Sequence, residues 1–291
     1  MNYGSEALSA LLTAALYLAL FIGVEIWSRR RHPDPETSRK LVHFGGGMIA
    51  LLFPELFQSH WSVLALAVAF FGLLIITKRS GKLQSVQGVE RGTVGEIIYP
   101  LAIWLTLFLS TIAGGPDIYR IIVLILAVAD ALAGLVGKRF GRHRYLVAGG
   151  SKSVEGSATF FIVTAVIIWG GFRLLLEDVG RNVHGATGVV SREWEINLAL
   201  TAILVALLLT GVEAVSSKGL DNITVPLFAW VLLILVIYDN SRLLPDIVAL
   251  IIAAGLAIWL ATRFPRLRVD HAILAVLIGY AIRLLTLFMI R

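Results

Sequence analysis

Apolar runs recur along the whole chain and alternate with short polar segments. The hydrocarbon core of a bilayer is about 30 Å thick, a distance that an α-helix of about 20 residues spans. The pattern therefore predicts an all-α, polytopic bundle of about ten transmembrane helices. The predicted helices are Ala7–Trp27, Leu41–Phe57, Trp61–Thr77, Thr93–Ile112, Tyr119–Val136, Glu155–Phe172, Leu198–Val215, Ile223–Tyr238, Leu244–Thr262 and His271–Ile290.

Composition supports a membrane protein and argues against a soluble enzyme with a separate anchor. Of the 291 residues, 58% are hydrophobic and 15% are charged, whereas a soluble domain carries about 25% charged residues. The polar linkers are short, so we expect residues 1–291 to form a single transmembrane domain. The chain has no cysteine, which excludes disulfides and thiolate metal sites.

The 25 lysines and arginines are distributed unevenly between alternate loops. If the N-terminus is placed outside, most of them fall in the inner loops, and the positive-inside rule then predicts both termini outside. The polar motifs also fall on the inner side. We therefore expect an integral protein of the cell membrane with an active site that faces the cytosol. The net charge of +6 is attributed to this topology and to anionic partners, with no indication of nucleic acid.

The stretch Ala129–Ser157 carries most of the candidate chemistry. Asp130 lies in an apolar run, where a carboxylate is costly and marks a functional site by default. Glycines and cations follow it, and this combination binds phosphate. The alternative is a small-residue packing seam in which Asp130 pairs with an arginine. We predict a nucleotide triphosphate here, bound by Gly134, Gly137, Lys138, Arg139, Gly141, Arg142, Lys152 and Ser153.

Two earlier segments precede this stretch. In the first, Arg39 and His43 are four residues apart and share a helix face with three glycines beyond them. Its alternative explanation is basic side chains that snorkel beside a tight helix crossing. The second contains Arg91 and Glu96, which are candidates for a supporting role. Its alternative explanation is a capping box between Thr93 and Glu96.

A fourth segment, Glu213–Pro226, adds carboxylates on the same predicted side of the membrane. Magnesium takes hard oxygen ligands, usually one or two carboxylates together with phosphates and water. The polar residues that open the eighth predicted helix also fit helix caps, and Glu155 fits a helix-start acid favoured by the dipole. The predicted magnesium ligands are Asp130, Glu155, Asp221 and Asn222, with Glu213 as a further candidate.

In their order and spacing, five segments resemble the integral-membrane, CTP-dependent lipid kinases, a group that includes dolichol kinase, phytol kinase and CTP-dependent diacylglycerol kinase. Each segment alone is weak, but the order of all five is specific. They define a motif-bearing core of residues 39–226. The segments are RKLVHFGGG (Arg39–Gly47), RGTVGEIIYP (Arg91–Pro100), ADALAGLVGKRFG (Ala129–Gly141), SKSVEGS (Ser151–Ser157) and EAVSSKGLDNITVP (Glu213–Pro226).

The resemblance implies that CTP, with Mg²⁺, phosphorylates the hydroxyl of a membrane isoprenoid alcohol of the polyprenol, dolichol or phytol type. Diacylglycerol is an alternative acceptor. Arg39 and Lys40 would join the nucleotide-binding residues. The general base stays open between Glu213, Asp130 and His43, and the oligomeric state is also open. The predicted catalytic residues are Asp130, Glu155, Glu213 and His43.

Two other classes of protein compete with a kinase. The segment from Asp130 to Ser157 is also similar to phosphatidate cytidylyltransferase, which carries a comparable D-x-x-A…G…K-[ST]-x-E-G series. That family ends in a lysine-aspartate and a proline-glycine-histidine-glycine-glycine signature, whereas this chain has SSKGLDNITVP at that point. The difference favours a kinase. A transporter is less favoured, because the acids cluster at one face of the membrane and do not track across it.

Overall fold

Long apolar helices dominate the structure, a computed structural model that describes residues 3–80, 95–147, 150–175, 192–216 and 219–238. One helix is interrupted by a π-helical turn, Ile125–Ala129, and two short strands form a hairpin. The helices are α1 (Tyr3–Arg31), α2 (Pro35–Ala50), α3 (Phe53–Leu56), α4 (His60–Ser80), α5 (Gly95–Ile112), α6 (Gly115–Leu124), α7 (Asp130–Phe140), α8 (Val154–Leu175), α9 (Arg192–Val215) and α10 (Asp221–Tyr238), and the strands are β1 (Arg144–Val147) and β2 (Gly150–Ser153).

Five helices in the described ranges are long and apolar enough to cross a membrane, and the chain is therefore an integral membrane protein. The predicted all-α membrane architecture is confirmed. The count of ten spans stays a prediction, since the last two, Leu244–Thr262 and His271–Ile290, lie outside the described residues. The five spans are Gly4–Arg31, His60–Thr77, Gly115–Phe140, Val154–Leu174 and Leu198–Val215, with shorter apolar helices at Ile97–Ile112 and Asp221–Ile237.

The prediction of one continuous helix over Leu41–Phe57 is wrong. Helix α2 begins earlier, at Pro35, where Asp34 caps the first turn by accepting a hydrogen bond from the Glu36 backbone N–H at 2.9 Å. It ends at Ala50, before the separate short helix α3. Pro54 explains the break, because a proline lacks an N–H and its ring clashes with the carbonyl of the residue four positions before it.

The central helix runs from Gly115 to Phe140 through α6, the π-helical turn and α7. Half of its apolar window is buried inside the protein, a larger share than in the other four candidate spans. It contacts α2, α5, α8 and α10, so a side chain near its middle faces several other helices. Asp130 lies at this position, immediately after the π-helical turn.

The sequence prediction did not include the hairpin that follows the central helix. Strands β1 and β2 pair antiparallel, with Arg144 opposite Ser153 and Tyr145 opposite Lys152. The hairpin folds back against α7 and the start of α8. Lys152 is therefore held in a strand, one residue before the serine that caps α8.

Candidate active site

A cavity of about 890 Å³ lies between the central helix, the hairpin and the helices around them. Its two halves differ in chemistry. One half is polar and is bordered by α2, α7, β2 and the turn between α9 and α10. The other half is apolar and is bordered by α1, α4 and α5. The charged residues of the polar half are Asp34, Glu36, Arg39, Lys40, His43, Asp130, Lys138, Arg144, Lys152, Glu213 and Asp221.

Lys40, His43 and Asp130 form one group in the polar half, which we call the histidine cluster. Lys40 Nζ donates to Asp130 Oδ2 at 2.6 Å, although the two residues are 90 positions apart. His43 Nε2 lies 3.4 Å from the same oxygen and 3.0 Å from the backbone oxygen of Leu126. All three side chains are largely buried, at 8%, 10% and 14% exposure for Lys40, His43 and Asp130.

The π-helical turn contributes one contact to the histidine cluster. A π-helical turn changes the i→i−4 hydrogen-bond pattern of a helix locally and is frequent at functional sites. Leu126 lies in this turn, and its carbonyl oxygen is within hydrogen-bond distance of the imidazole of His43. Tyr99 supports the same histidine from the other side: its hydroxyl donates to the His43 carbonyl at 3.1 Å, and the two rings are 4.0 Å apart.

Lys152, Glu213 and Asp221 form a second group, which we call the two-acid cluster. Lys152 Nζ lies 2.5 Å from Glu213 Oε1 and 3.8 Å from Asp221 Oδ2, and it also donates to the Glu213 backbone oxygen. Burial alone would lower the pKa of Lys152. The negative charges of Glu213 and Asp221 outweigh that effect and raise the pKa above its ordinary value, so the ammonium is protonated at neutral pH.

The turn between α9 and α10 positions both acids of this cluster. Ser216 at the end of α9 and Thr224 in α10 share a hydrogen bond of 2.7 Å between their hydroxyls. Gly219 adopts a φ of 86°, a left-handed conformation that glycine accepts without strain. Asn222 fastens the turn to α5, since its Nδ2 donates to the Gly95 carbonyl at 2.8 Å.

The two clusters belong to one electrostatic site. The charge of Asp130, in the histidine cluster, is among the influences that raise the pKa of Lys152. Both groups line the same cavity. The structure thus brings together most of the charged residues that the sequence predicted, from segments far apart in the chain: Arg39, Lys40, His43, Asp130, Lys138, Lys152, Glu213 and Asp221.

Other predicted site residues lie elsewhere. Glu155 does not line the cavity; it accepts hydrogen bonds from the backbone N–H groups of Arg142 and His143 at 3.1 and 3.2 Å. It thereby holds the entrance to the hairpin. Arg139 and Arg142 are exposed, and Arg139 stacks over the ring of Phe140. Their contact with a nucleotide, like metal binding by Glu155, stays a prediction.

The glycines of the central stretch make room for protein atoms. A Cβ atom at Gly134 would lie 2.5 Å from Lys40 Cε, so this glycine accommodates the lysine stem. A Cβ atom at Gly137 would lie 3.3 Å from the Gly156 Cα atom, and one at Gly141 would lie 2.7 Å from Ser153 Cβ. The packing seam considered as the alternative is therefore present, but Asp130 pairs with Lys40 and not with an arginine, and the seam coexists with a pocket that Gly134 and Gly137 also line.

Several predicted binding residues line the cavity while engaged with neighbours. Ser153 caps α8 by accepting from the Gly156 N–H at 3.1 Å. Lys138 forms an ion pair with Asp34, and this contact lowers the pKa of the Asp34 carboxyl. Arg39 pairs with Glu36 at 2.5 Å, and Asn222 is held by α5 as described above. Arg91 lies outside the described residues, as does the side chain of Glu96.

Sequence reasoning missed Tyr99 and Asp34. Tyr99 lies in the segment RGTVGEIIYP, which was singled out for its charged residues. An aromatic residue in a predicted membrane helix is common and gives no signal of a functional site. Asp34 precedes a proline and resembles a simple helix cap. Its approach to Lys138, 104 residues away, has no local signal in the chain.

The polar half fits a magnesium ion that binds together with phosphates. Within the described part of the chain, no group of three or more His, Asp or Glu side chains is close enough to hold a metal alone. Magnesium in nucleotide sites typically uses only one or two carboxylates, with phosphate and water supplying the rest. Glu213 Oε2 is buried and has no hydrogen-bond partner among the described residues, so it is available as such a ligand.

Fold and site together define a helical integral membrane protein with a phosphate-compatible pocket next to an apolar chamber. Lysine ammonium groups bind phosphate oxygens well, and carboxylates beside them suit the accompanying cation. This pairing is typical of an enzyme that acts on a lipid and a phosphorylated co-substrate.

Comparison with known proteins identifies the family. The chain is 34% identical over 219 residues to a phytol kinase of Synechocystis, an alignment that covers 74% of this chain and 85% of the relative. It is 27% identical to the probable chloroplastic phytol kinase 2 of Oryza sativa, covering 75% and 72% of the two chains. It is 30% identical over 110 residues to a dolichol kinase of Schizosaccharomyces pombe, covering 38% and 18%.

The chain therefore belongs to the family of phytol kinases and dolichol kinases. The resemblance drawn from the five motifs is confirmed. No family model matches the sequence. No solved structure matches it either.

Proposed function

We propose that this protein is a CTP-dependent kinase that transfers the γ-phosphoryl group to the hydroxyl of a membrane isoprenoid alcohol. The names of its relatives, phytol kinase and dolichol kinase, support the reaction class and the type of acceptor. One observation carries the proposal for this chain. Two clusters of lysines and carboxylates line one half of a cavity whose other half is apolar. A charged nucleotide and an apolar alcohol can therefore meet there.

The two buried lysines bind the triphosphate in this proposal. Phosphoryl transfer needs positioning and charge neutralisation more than covalent chemistry from the protein. Lys40 and Lys152 line the same cavity and belong to different clusters, so one triphosphate would be met by two ammonium groups. Each lysine then exchanges a carboxylate for a phosphate oxygen, an exchange that keeps its charge paired.

The carboxylates that the lysines release would hold magnesium. Asp130, Glu213 and Asp221 all line the cavity, and one or two of them would supply hard oxygen ligands beside the phosphates, in line with the choice of Asp130 and Asp221 from sequence. We propose Glu213 as the magnesium ligand in place of Glu155. The Glu155 carboxylate already accepts hydrogen bonds from the backbone N–H groups of Arg142 and His143. A magnesium ion held by these residues would supply charge neutralisation for the phosphates during transfer.

His43 is the proposed base for the acceptor hydroxyl. Both neighbours of its Nε2, the Leu126 carbonyl and Asp130 Oδ2, are hydrogen-bond acceptors, so this nitrogen carries the proton. In the neutral ring, Nδ1 is then unprotonated and able to accept the hydroxyl proton. Asp130 orients the ring and favours the imidazolium that forms. His43 also lies at the border with the apolar half, where its ring contacts Tyr99.

The distribution of basic residues supports a cytosolic site. We propose that both termini lie outside and that the polar half of the cavity faces the cytosol, where nucleotides are available. The isoprenoid tail stays among apolar helices, and its hydroxyl reaches the interface. This arrangement lets a water-soluble donor and a membrane acceptor meet without moving either one across the bilayer.

Position-specific labelling of the nucleotide tests the reaction. Purified protein in detergent is incubated with magnesium and geranylgeraniol, phytol, a long polyprenol or diacylglycerol, together with CTP labelled at the γ- or the α-phosphate. Label from the γ-position in an isoprenoid phosphate is the expected result. Lipid labelled from the α-position would instead show cytidylyl transfer. No lipid labelling from any nucleoside triphosphate would overturn the proposal.

Matched variants separate chemistry from folding in this assay. Asp130→Asn and Lys152→Ala are expected to purify as monodisperse protein and to transfer no measurable label. Glu55→Gln is the control, because Glu55 is an exposed carboxylate paired with Arg120 away from the cavity. Normal turnover by Asp130→Asn or Lys152→Ala would reject their assigned roles.

A further inference from the structure

We infer that the apolar half of the cavity is a chamber for one isoprenoid chain of limited length, and that its far wall sets which alcohols are accepted. This inference rests on the proposed kinase function and makes it more specific. The chamber lies between α1, α4 and α5 and joins the polar half at His43 and Tyr99.

The chamber extends a considerable distance from the charged clusters. Helix α4 lines it from Leu74 to Val63, which corresponds to a rise of about 16 Å at about 1.5 Å per residue. Helix α5 begins beside the two-acid cluster, where Gly95 accepts from Asn222, and it lines the chamber as far as Ile103. The chamber therefore runs along the helix axes, away from the reacting groups.

The far end is closed by side chains that are themselves almost fully buried. Thr13 and Val63 are each 1% exposed, and Phe53 is 4% exposed. They come from three different helices, α1, α4 and α3, so the end wall does not depend on one flexible element. A chain that enters from the polar half must stop at this wall or bend sideways between helices.

The side walls suit a branched hydrocarbon. The rings of Tyr17, Phe21 and Phe70 pack together, with centroids 5.1 to 6.4 Å apart. The Tyr17 hydroxyl is turned to α2, where it donates to the Gly46 carbonyl at 2.8 Å. The Tyr99 hydroxyl is likewise bonded to the His43 carbonyl. Aromatic surface with its polar atoms already satisfied offers dispersion contacts to methyl groups and double bonds.

The geometry at the border places the reactive end of such a chain. With the hydrocarbon in the chamber, the hydroxyl comes to the border, where the His43 ring lies against Tyr99 and beside Asp130. The same pose keeps the tail away from Lys152 and its acids. Tail binding and hydroxyl positioning are thus properties of one continuous cavity.

The volume limits the chain to a single short one. Pockets of about 300–1,000 Å³ hold one compact ligand, and the full cavity of about 890 Å³ must also receive the nucleotide. Two acyl chains or a long polyprenol exceed the space that is left. We therefore expect a preference for farnesol, geranylgeraniol and phytol over long polyprenols and diacylglycerol.

A substitution in the chamber wall tests this inference. Ala67 lines the chamber, so the phenyl ring of Ala67→Phe takes up part of the space and should exclude the longer chains first. We expect kcat/KM to fall at least tenfold for geranylgeraniol and to change less than threefold for geraniol. Val68→Phe is the matched control, because Val68 is the next residue of α4 and is 54% exposed, away from the chamber. It should leave the ratio between the two alcohols unchanged.

The outcomes separate this inference from the proposed function. If the unaltered protein phosphorylates none of the alcohols, the kinase proposal fails. If it phosphorylates them, but Ala67→Phe and Val68→Phe give the same ratio of rates, the chamber is not the tail site. Equal use of a long polyprenol and geranylgeraniol by the unaltered protein would also overturn the length limit.

A binding measurement covers the case in which Ala67→Phe fails to fold. Geranylgeraniol with a photoreactive group at its far end is irradiated with the unaltered protein, and the labelled peptides are mapped. Label on α1, α3 or α4 near Thr13, Phe53 and Val63 is expected, with competition by geranylgeraniol. Label confined to the lipid-facing side of these helices, around Leu12 and Val68, would overturn the inference.

Discussion

The histidine cluster and the two-acid cluster use the same kinds of side chain but differ in charge balance. In the histidine cluster one lysine meets one carboxylate, with a histidine beside them. In the two-acid cluster one lysine lies between two carboxylates, and Glu213 Oε2 is buried with no partner in the described chain. Among the described residues, the second cluster therefore has two acids for one lysine.

The two clusters also differ in how they are built. The histidine cluster lies on two packed helices, α2 and the central helix, and it borders the apolar chamber. The two-acid cluster is assembled from a strand and a turn between helices, with Gly219 in a left-handed conformation. A rigid, charge-balanced group suits the positioning of an acceptor. A group with excess negative charge suits a cation that arrives with the nucleotide.

The largest expected effect comes from the lysine of the two-acid cluster. Lys152→Met leaves Glu213 and Asp221 close together without their shared counter-charge and removes a phosphate contact. We expect transfer from CTP to geranylgeraniol to fall about 1000-fold, the upper range for loss of one charge-stabilising group. Arg29→Met is the control, because Arg29 is exposed and pairs with Glu25 away from the cavity. Equal losses in both variants would reject a specific role for the Lys152 ammonium.

The next effect concerns magnesium. Glu213→Gln keeps the shape of the side chain but replaces the carboxylate whose Oε2 has no hydrogen-bond partner among the described residues. We expect the rate to fall several hundred-fold and the magnesium concentration for half-maximal rate to rise, because a ligand of the ion is weakened. A magnesium titration at saturating CTP measures both. An unchanged titration midpoint would contradict the placement of the ion at this cluster, and Glu55→Gln serves as the control.

The hydropathy pattern predicted the helices well wherever apolar length alone decides the structure. The predicted Trp61–Thr77 lies within α4, and the predicted Glu155–Phe172 lies within α8. Pro54 was a visible signal for a helix break, but the prediction followed the apolar run around it and continued the helix. The π-helical turn before Asp130 could not be predicted. Its residues are Ile, Leu, Ala and Val, which do not distinguish a π-helical turn from an α-helix.

The chemistry of the site was predictable by residue type and only partly by partner. Asp130 and Lys152 stood out as charges bordering apolar runs. Their partners, Lys40 and Glu213, lie 90 and 61 residues away, and no local pattern encodes such pairings. Glu155 shows the opposite case. It fits a site residue by its position in a motif, but the backbone N–H groups at the hairpin entrance occupy it, and the hairpin itself was not predicted.

A smaller effect is expected from the histidine cluster. His43→Gln removes the proposed base but leaves the lysines and acids in place. We expect kcat to fall about 100-fold, at the low end for a general base, because a loose phosphoryl-transfer transition state needs little help with proton removal. KM for CTP should change less than threefold. The unaltered enzyme should lose rate as the pH falls, since a protonated ring cannot accept the hydroxyl proton, and the variant should lose this dependence.

The control for that variant is His60→Gln. His60 packs among Trp61, Trp104 and Phe108, away from the cavity. Its loss should leave both kcat and the pH profile as they are. A His43→Gln enzyme that keeps the acid limb of the pH profile would show that another group, Asp130 or Glu213, takes the proton.

The smallest effect distinguishes a glycine that serves the site from one that does not. A methyl group at Gly134 would press on Lys40 Cε, the far end of a flexible side chain, so Gly134→Ala should shift the lysine without unfolding the protein. We expect about a fivefold loss of rate, on the order of 1 kcal/mol, with little change in Tm. Gly72→Ala is the control, because nothing in the described structure lies within 4 Å of its added methyl group. If both variants were equally active, the position of the Lys40 ammonium would not limit transfer, and the histidine cluster would act on the acceptor alone.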